Sequence, residues 1–168
     1  VADNWDVLIL NDYEAVMPLP WRQKFFIKYI YPPAWTQQLG VFSPKRISEI
    51  LILDFINAIP KKFKKITIQF NSENKFRHKN LTERVNYILP LNNSYEDIYK
   101  EFNNNRKRDL KKAKKNKLYI KEVEIDELIA VVKSHYSNLS YTQKDYDKLI
   151  RLIQVVNKVN KITLLGVF

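Results

Sequence analysis

The residues best suited to chemistry in this chain lie in the stretch NNNRKRDLKKAKKN, residues 103–116. Residues 103–117 carry eight Lys and Arg and one acid, Asp109, and so supply +7 of the chain's formal charge of +11. Guanidinium and ammonium groups bind phosphates and carboxylates, and Arg can do so through two parallel hydrogen bonds. Because the positive charge is concentrated in one segment, it favours an anion site over general adjustment of solubility.

An uninterrupted helix over this stretch would have two unlike faces. The apolar face carries Tyr99, Phe102, Arg106, Leu110 and Ala113. The opposite face carries Lys107, Arg108, Lys111, Lys112, Lys114 and Lys115. This basic face is either a solvated surface or a surface for an anionic ligand such as tRNA, a nucleotide-linked substrate or the phosphates of CoA. Arg106 either pairs with a carboxylate such as Asp109 or Glu101, or points into a cleft to hold a carboxylate or phosphate. The candidate anion ligands are Arg106, Arg108, Lys111, Lys112 and Lys115.

A second candidate region is the segment YIYPPAWTQQ, residues 29–38. Aromatic rings beside amides can line a binding cleft, and Tyr31 and Trp35 are the substrate-binding candidates here. Ordinary packing of aromatic strand ends would give the same composition. Glu14, on a predicted strand near this segment, is a weak candidate for a general base. The two histidines have no ligand partners at metal-binding spacing, so the sequence predicts no metal site.

Length and composition limit the remaining classes. The chain has 168 residues and 45% hydrophobic content, which is typical of a globular protein with a core. It has no cysteine, which excludes disulfides, thiolate nucleophiles and Cys-based zinc sites. No apolar run approaches the length of a membrane span, and no signal-peptide pattern opens the chain, so a cytoplasmic protein is expected. The chain starts at Val1 and stops within the apolar run KITLLGVF, which suggests a fragment of a longer protein.

The elements that must position these residues can be read from periodicity and caps. The sequence predicts a mixed α/β chain of order β-β-β-α-β-β-α-β-α-α-β. Strands are predicted at 6–10, 13–20, 25–31, 66–70, 84–91, 118–125 and 161–168. The two-residue turn signal Asn11-Asp12 predicts that the first two strands form a hairpin. Helices are predicted at 43–60, from Ser94 into the basic segment, at 126–136 and at 140–158. Ser43, Ser94 and Thr142 are the expected N-caps, and the prolines at 18, 20, 32 and 33 are expected where strand pairing ends.

Three segments resemble the GNAT N-acyltransferase superfamily. They are YEAVMPLPWR on the second strand, TQQLGVFSP before a helix, and NNNRKRDLKKAKK followed by the alternating strand LYIKEVEI. The nearest resemblance is to the Fem-type branch, whose members contain two GNAT-like domains in tandem. It implies a largely antiparallel mixed sheet flanked by helices. Residues 1–91 would be part of a first GNAT-like domain, 92–117 a basic helical connection, and 118–168 the start of a second domain or the completion of one sheet with 1–91.

The resemblance also implies an activity. GNAT and Fem-type proteins transfer an acyl or aminoacyl group to an amine, with acetyl-CoA, another acyl-CoA or aminoacyl-tRNA as donor. The GNAT cofactor segment Q/R-x-x-G-x-G/A corresponds to Gln37–Phe42, which would make Gln37, Gln38, Gly40 and Ser43 the candidate cofactor ligands. Phe42 replaces the last small residue and would crowd a pyrophosphate. The alternatives are a nucleic-acid-binding module that uses the basic helix of residues 106–117, and a GNAT-like scaffold without catalysis.

Overall fold

The computed structural model of the chain describes residues 2–135, 141–160 and 162–168. Contacts divide the chain into two compact units, Val1–Val85 and Asn86–Phe168. The first unit contains β1 (Asn4–Leu10), β2 (Ala15–Lys24), β3 (Ile27–Ile30), α1 (Glu49–Asn57) and β4 (Phe63–Ile66). The second unit contains α2 (Tyr95–Glu101), α3 (Asn104–Lys115), β5 (Ile120–Glu122), α4 (Ile125–His135), α5 (Gln143–Val159) and β6 (Leu165–Val167). The mixed, mostly antiparallel α/β class is confirmed, and the order of elements follows the prediction apart from residues 84–91 and the division of the helix that begins after Ser94 into α2 and α3.

The first unit is built on a four-stranded sheet of order β1-β2-β3-β4. Strands β1, β2 and β3 pair antiparallel, and β4 lies parallel to β3 after the connection through α1. Alternate residues of β2 point to opposite faces. One face, with Ala15, Met17 and Leu19, packs against α1 in the core. The core residues are Ala15, Met17, Leu19, Ile30, Val41, Ile52, Phe55, Ile59 and Phe63.

Two prolines lie inside β2 and do not end its pairing, contrary to the prediction. Pro18 faces Val7 and Pro20 faces Trp5 in the β1 ladder. Val16 donates its N–H to Phe42 on the other side of β2 at 2.9 Å, so the even-numbered residues direct their backbone nitrogens away from β1. Strand β3 pairs with β2 only from residue 21 onward. The prolines are tolerated because the hydrogen bonds they cannot donate fall where β2 has no partner strand.

Both hairpin turns of this sheet contain residues at positive φ. The predicted β1–β2 hairpin is confirmed, but its loop has four residues, 11–14, with Asn11 and Tyr13 at φ of 48° and 59°. The predicted strand at 25–31 begins two residues late, at Ile27. Phe25 and Phe26 form the β2–β3 turn at φ of 47° and 64°, a conformation that costs an L-residue about 1 kcal/mol or more. Propensity favoured a strand there, and the hairpin geometry overrode it.

Helix α1 is shorter than predicted because Ser43 is not its cap. Phe42 pairs with Val16 through two backbone hydrogen bonds, and Ser43 Oγ donates to the carbonyl of Glu14 at 2.8 Å. These contacts keep residues 42–43 beside the sheet. Ser48 caps the helix instead, since its Oγ accepts a hydrogen bond from the Leu51 N–H at 3.2 Å.

Strand β4 also lies earlier than predicted, at Phe63–Ile66 in place of 66–70. Phe63 is buried in the core and is the partner of Lys28 in the parallel ladder. Burial of this ring therefore sets where the strand begins. Only Phe70, of the later residues, makes a further bridge, to Leu39.

In the second unit the helix caps follow the predicted local signals. Ser94 Oγ accepts from the Asp97 N–H at 3.2 Å and donates to the Asp97 carboxylate at 2.7 Å. The Asp145 carboxylate accepts from the N–H and hydroxyl of Thr142 at 2.9 and 2.8 Å. Each contact joins a cap residue to the acid three residues later, as in a capping box. The predicted end of one helix at 136 and the start of the next at 140 lie outside the described residues.

The strand predicted at 84–91 is not formed. Val85, Tyr87 and Ile88 are 79%, 91% and 73% exposed. A run of β-forming residues becomes a strand only where a neighbour supplies hydrogen bonds and a surface to pack against. Strands β5 and β6 do find such a partner in each other and form an antiparallel pair. None of the helices in the described part of the chain is long and apolar enough to cross a bilayer.

Asp6 of β1 contacts Trp21 of β2 and Lys62, which directly precedes β4. From these contacts we predict that the stability of the first unit depends on pH. Lys62 donates to the Asp6 carboxylate, and Trp21 Nε1 donates at 3.1 Å. The hydrogen bond from Lys62 lowers the pKa of Asp6, with help from Trp21 and against partial burial. The unfolded chain therefore binds more protons near pH 4, and the stabilisation present above that pH is lost as pH falls through the folded-state pKa. We expect Asp6→Asn to cost about 1 kcal/mol at neutral pH.

The measurement is urea unfolding followed by tryptophan fluorescence, which reports on the first unit because Trp5, Trp21 and Trp35 all lie in it. The difference between the parent and Asp6→Asn should shrink toward zero below about pH 3. Asp12→Asn, an exposed turn residue, is the matched control and should show no such convergence. An Asp6→Asn cost that is constant between about pH 7 and pH 3 would contradict the ion-pair explanation.

Candidate functional site

The loop that joins β3 to α1 crosses the unit next to the sheet and contains the predicted cofactor segment. It is tied down at two points, by the Val16–Phe42 bridge and by the Leu39–Phe70 bridge. Between these points, Gly40 and Val41 are buried. The loop is therefore part of the packed structure of the unit.

Position 40 requires a glycine for two separate reasons. Its φ is +101°, a conformation that L-residues rarely adopt. A Cβ at this position would lie 2.2 Å from Asn74 Oδ1 and 2.8 Å from Phe70 Cδ1. The glycine of the segment thus permits close approach of a neighbouring part of the same chain.

Two asparagines from residues 71–74 hold this backbone, and the sequence did not single them out. Asn74 accepts a hydrogen bond from the Val41 N–H at 2.7 Å and donates one to the Val41 carbonyl at 2.9 Å. Asn71 Nδ2 donates to the carbonyls of Leu39 and Val41 at 3.0 and 3.2 Å. The Asn74 side chain is buried. Two asparagines three residues apart in a polar stretch were the only signal, and it is typical of an ordinary loop.

These contacts occupy the groups that would hold a pyrophosphate. The N–H groups of Leu39, Val41 and Phe42 donate to Gln69, Asn74 and Val16 at 2.6, 2.7 and 2.8 Å. Helix α1 begins at Glu49, nine positions after Gly40, and an acidic side chain already occupies its first turn. The segment consequently differs from a loop whose free N–H groups and adjoining helix N-terminus receive an anion.

The other predicted cofactor residues lie around the clamp, the name used here for the hydrogen bonds that Asn71 and Asn74 make with Leu39 and Val41. Gln37 is exposed and Gln38 is half-buried. Ser43 Oγ accepts from the Lys45 N–H at 3.1 Å in addition to its bond to Glu14. Glu14 lies in the β1–β2 turn and not on a strand. Its carboxylate is 3.9 Å from Lys45 Nζ, an exposed pairing that leaves it in solvent.

The aromatic candidates of this loop differ in their surroundings. The guanidinium of Arg22 stacks on the Tyr31 ring at 4.3 Å. The Tyr31 hydroxyl is buried and has no hydrogen-bond partner among the described residues, which is unusual for a buried polar group. Trp35 is half-buried, with φ of +64°. Neither ring lines the open apolar groove of about 260 Å³ on the outer face of the sheet. That groove is lined by Ala2, Trp5, Pro18, Pro20, Pro33, Thr36 and Leu39.

In the second unit, α3 carries the basic segment on an exposed helix. Arg106, Arg108, Lys111, Lys112 and Lys115 are all exposed. The structure thus brings these five candidates together on one element. Within the residues that the structure describes, no carboxylate lies within 4.0 Å of any of them. Their charge is available to an external anion.

The inward position predicted for Arg106 is wrong, because the helix is interrupted. Phe102 has an extended conformation, with ψ of 135°, and Asn103 caps a new helix by accepting from the Arg106 N–H at 2.9 Å. Because a new helix starts after the interruption, the later residues face different directions from those expected for one continuous helix. Lys107, Leu110 and Ala113 form the half-buried side of α3, and Lys107 Nζ donates to the Lys100 carbonyl at 2.8 Å.

The described residues contain no group of side chains suited to binding a metal ion. Among residues 2–135, 141–160 and 162–168, no three His, Cys, Asp or Glu side chains group so as to hold a metal ion. His135 lies at the end of α4, where its ring Nδ1 is 3.1 Å from the Val131 carbonyl.

No family model, no curated protein and no solved structure matches the chain.

Proposed function

We propose that the chain belongs to an N-acyltransferase of GNAT type, Fem-like branch, which transfers an aminoacyl or acyl group to an amine acceptor. The observation that carries this proposal is the β-β-β-α-β order of the first unit, with the Gln37–Gly40 segment between β3 and α1. Gly40 at positive φ stands where the family's cofactor segment has its first glycine. The mixed, mostly antiparallel sheet agrees with what the resemblance implies.

Of the two donors that the resemblance implies, we favour aminoacyl-tRNA over acyl-CoA. The loop N–H groups that would bind a CoA pyrophosphate are already used by Gln69, Asn74 and Val16. Exposed and unpaired cations on α3 can bind the phosphate backbone of an RNA without reading its sequence. Arg106, Arg108, Lys111, Lys112 and Lys115 are then the phosphate-binding residues.

The test measures binding of fluorescently labelled tRNA by anisotropy over a range of salt concentrations. We expect affinity to fall steeply with salt, because phosphate contacts release counterions. Lys111→Ala/Lys112→Ala/Lys115→Ala should weaken binding by roughly tenfold or more near 0.1 M salt and lower the salt slope by about three. The control removes the same number of exposed lysines elsewhere, through Lys75→Ala/Lys79→Ala/Lys158→Ala.

The outcomes separate the candidate functions. Transfer of a labelled amino acid from aminoacyl-tRNA to an amine such as hydroxylamine supports the proposed activity. A raised melting temperature with acetyl-CoA, together with tRNA affinity unchanged in the α3 variant, would overturn the choice of donor. Binding of tRNA through α3 without transfer from either donor would favour the alternative, a nucleic-acid-binding module.

A further inference from the structure

The β2–β3 turn presents two phenylalanine rings to solvent. Phe25 and Phe26, here called the aromatic tip, are 83% and 96% exposed. They are the two central residues of a hairpin between Lys24 and Ile27, and both have positive φ. Asn and Gly are the residues that favour this kind of turn. Neither burial nor backbone preference explains two aromatic rings at this position, and such outliers are characteristic of functional surfaces.

Lysines from two parts of the chain lie on or next to the strands at the end of the sheet that carries the aromatic tip. Lys24 directly precedes it, with its Nζ 5.3 Å from the centre of the Phe25 ring. Because β4 runs parallel to β3 with Phe63 beside Lys28, the residues that lead into β4 reach the same end of the sheet. The tip lysines are Lys24, Lys61, Lys64 and Lys65, of which Lys64 and Lys65 lie within β4 itself.

The tip lysines keep their charge available. In the part of the chain that the structure describes, no carboxylate lies within 4.0 Å of them, whereas the neighbouring Lys62 is paired with Asp6. Long lysine stems can lie along an apolar surface while their ammonium groups remain in water. Two protruding rings with a cationic rim therefore form a surface with two kinds of attraction for one partner.

We propose that the aromatic tip and the tip lysines dock the protein on an anionic membrane surface. The rings would enter the boundary between headgroups and acyl chains, and the lysines would remain at the level of the phosphates. Neither attraction holds a protein firmly by itself, and the combination of an apolar insertion with a basic patch is what stable peripheral binding requires. A single-stranded nucleic acid stacks its bases on aromatic platforms within a groove, whereas these rings stand at the convex end of a hairpin.

The experiment is co-sedimentation with vesicles of phosphatidylcholine containing about one quarter phosphatidylglycerol, and with pure phosphatidylcholine vesicles, near 0.1 M salt. We expect binding to the anionic vesicles only. Phe25→Asn/Phe26→Gly should lower the partition coefficient at least about tenfold, because it removes the apolar insertion. The same variant should raise the melting temperature by roughly 2 °C or more, because Asn-Gly fits the turn, so lost binding would not reflect lost folding.

Charge variants complete the test. Lys61→Gln/Lys64→Gln/Lys65→Gln should weaken vesicle binding by roughly fivefold for each lysine. Lys75→Gln/Lys79→Gln/Lys158→Gln, which removes the same number of exposed lysines elsewhere, should weaken it clearly less. Equal binding of the parent and the Phe25→Asn/Phe26→Gly variant to anionic vesicles would overturn the proposal. So would the absence of vesicle binding by the parent, or binding of an oligonucleotide through Phe25 and Phe26 in its place.

Discussion

Gly40→Ala is expected to destabilise the first unit by about 3 kcal/mol, among the largest effects of a single methyl group in this chain. The φ of +101° would strain any L-residue, and the new Cβ would lie 2.2 Å from Asn74 Oδ1. That oxygen cannot move freely, because it accepts the hydrogen bond from the Val41 N–H at 2.7 Å. The midpoint of urea unfolding, read from tryptophan fluorescence, measures the change.

The other glycine of the chain provides the control. A Cβ at Gly166 would lie 2.7 Å from a ring carbon of Phe168 and 2.9 Å from Val123 Cγ1, but Gly166 lies in the second unit, whereas all three tryptophans lie in the first. Gly166→Ala should therefore leave the tryptophan-detected transition unchanged. If Gly40→Ala costs less than about 1 kcal/mol, the tight packing of Gly40 against Asn74 is wrong.

Asn74→Leu is expected to cost about 3 kcal/mol, although leucine has nearly the same shape as asparagine. The substitution removes the partner of the Val41 N–H, at 2.7 Å, and the shorter of the two hydrogen bonds to the Val41 carbonyl, at 2.9 Å. The N–H is then left unsatisfied in a buried site, at a cost of about 1–3 kcal/mol, and the carbonyl keeps only the weaker bond from Asn71 at 3.2 Å. Urea unfolding by tryptophan fluorescence again reports the loss, and an altered slope would indicate a change in the folded state itself.

Asn71→Ala is the matched comparison within the same clamp. Its side chain also bonds to the Leu39 and Val41 carbonyls, at 3.0 and 3.2 Å. However, the Leu39 carbonyl keeps the Asn71 backbone N–H at 2.9 Å, so we expect a loss of only about 1 kcal/mol. Equal costs for Asn71→Ala and Asn74→Leu would show that the buried amide is not the dominant contact.

A Gly40→Ala/Asn74→Ala double variant connects the two predictions. If the clash with Asn74 supplies part of the Gly40→Ala cost, then removing the Asn74 side chain relieves that part. The combined loss should fall short of the sum of the single losses by about 1 kcal/mol. Full additivity would assign the whole effect of Gly40→Ala to backbone strain.

The features that the sequence determined by itself arise from interactions between residues close together along the chain. The caps Ser94 and Thr142 could be predicted because each bonds to an acid three residues away. The first hairpin and the concentration of charge over 103–117 are local properties of the same kind. Periodicity and caps placed most of the elements within a few residues, and together these gave the mixed α/β class.

What only the tertiary structure decided depends on residues far apart in sequence. The clamp joins Val41 to Asn74 across 33 positions, so no local pattern marks Asn74 as the partner of the loop. The position of Arg106 depended on an interruption at Phe102 and Asn103, because these two extended residues rotate every later side chain about the helix axis. The exposure of Phe25 and Phe26 followed from strand register, which made a turn of residues whose own preference is for a strand. Local preferences are worth about 1 kcal/mol or less per residue, and pairing, burial and hydrogen bonding between distant segments outweighed them at each of these sites.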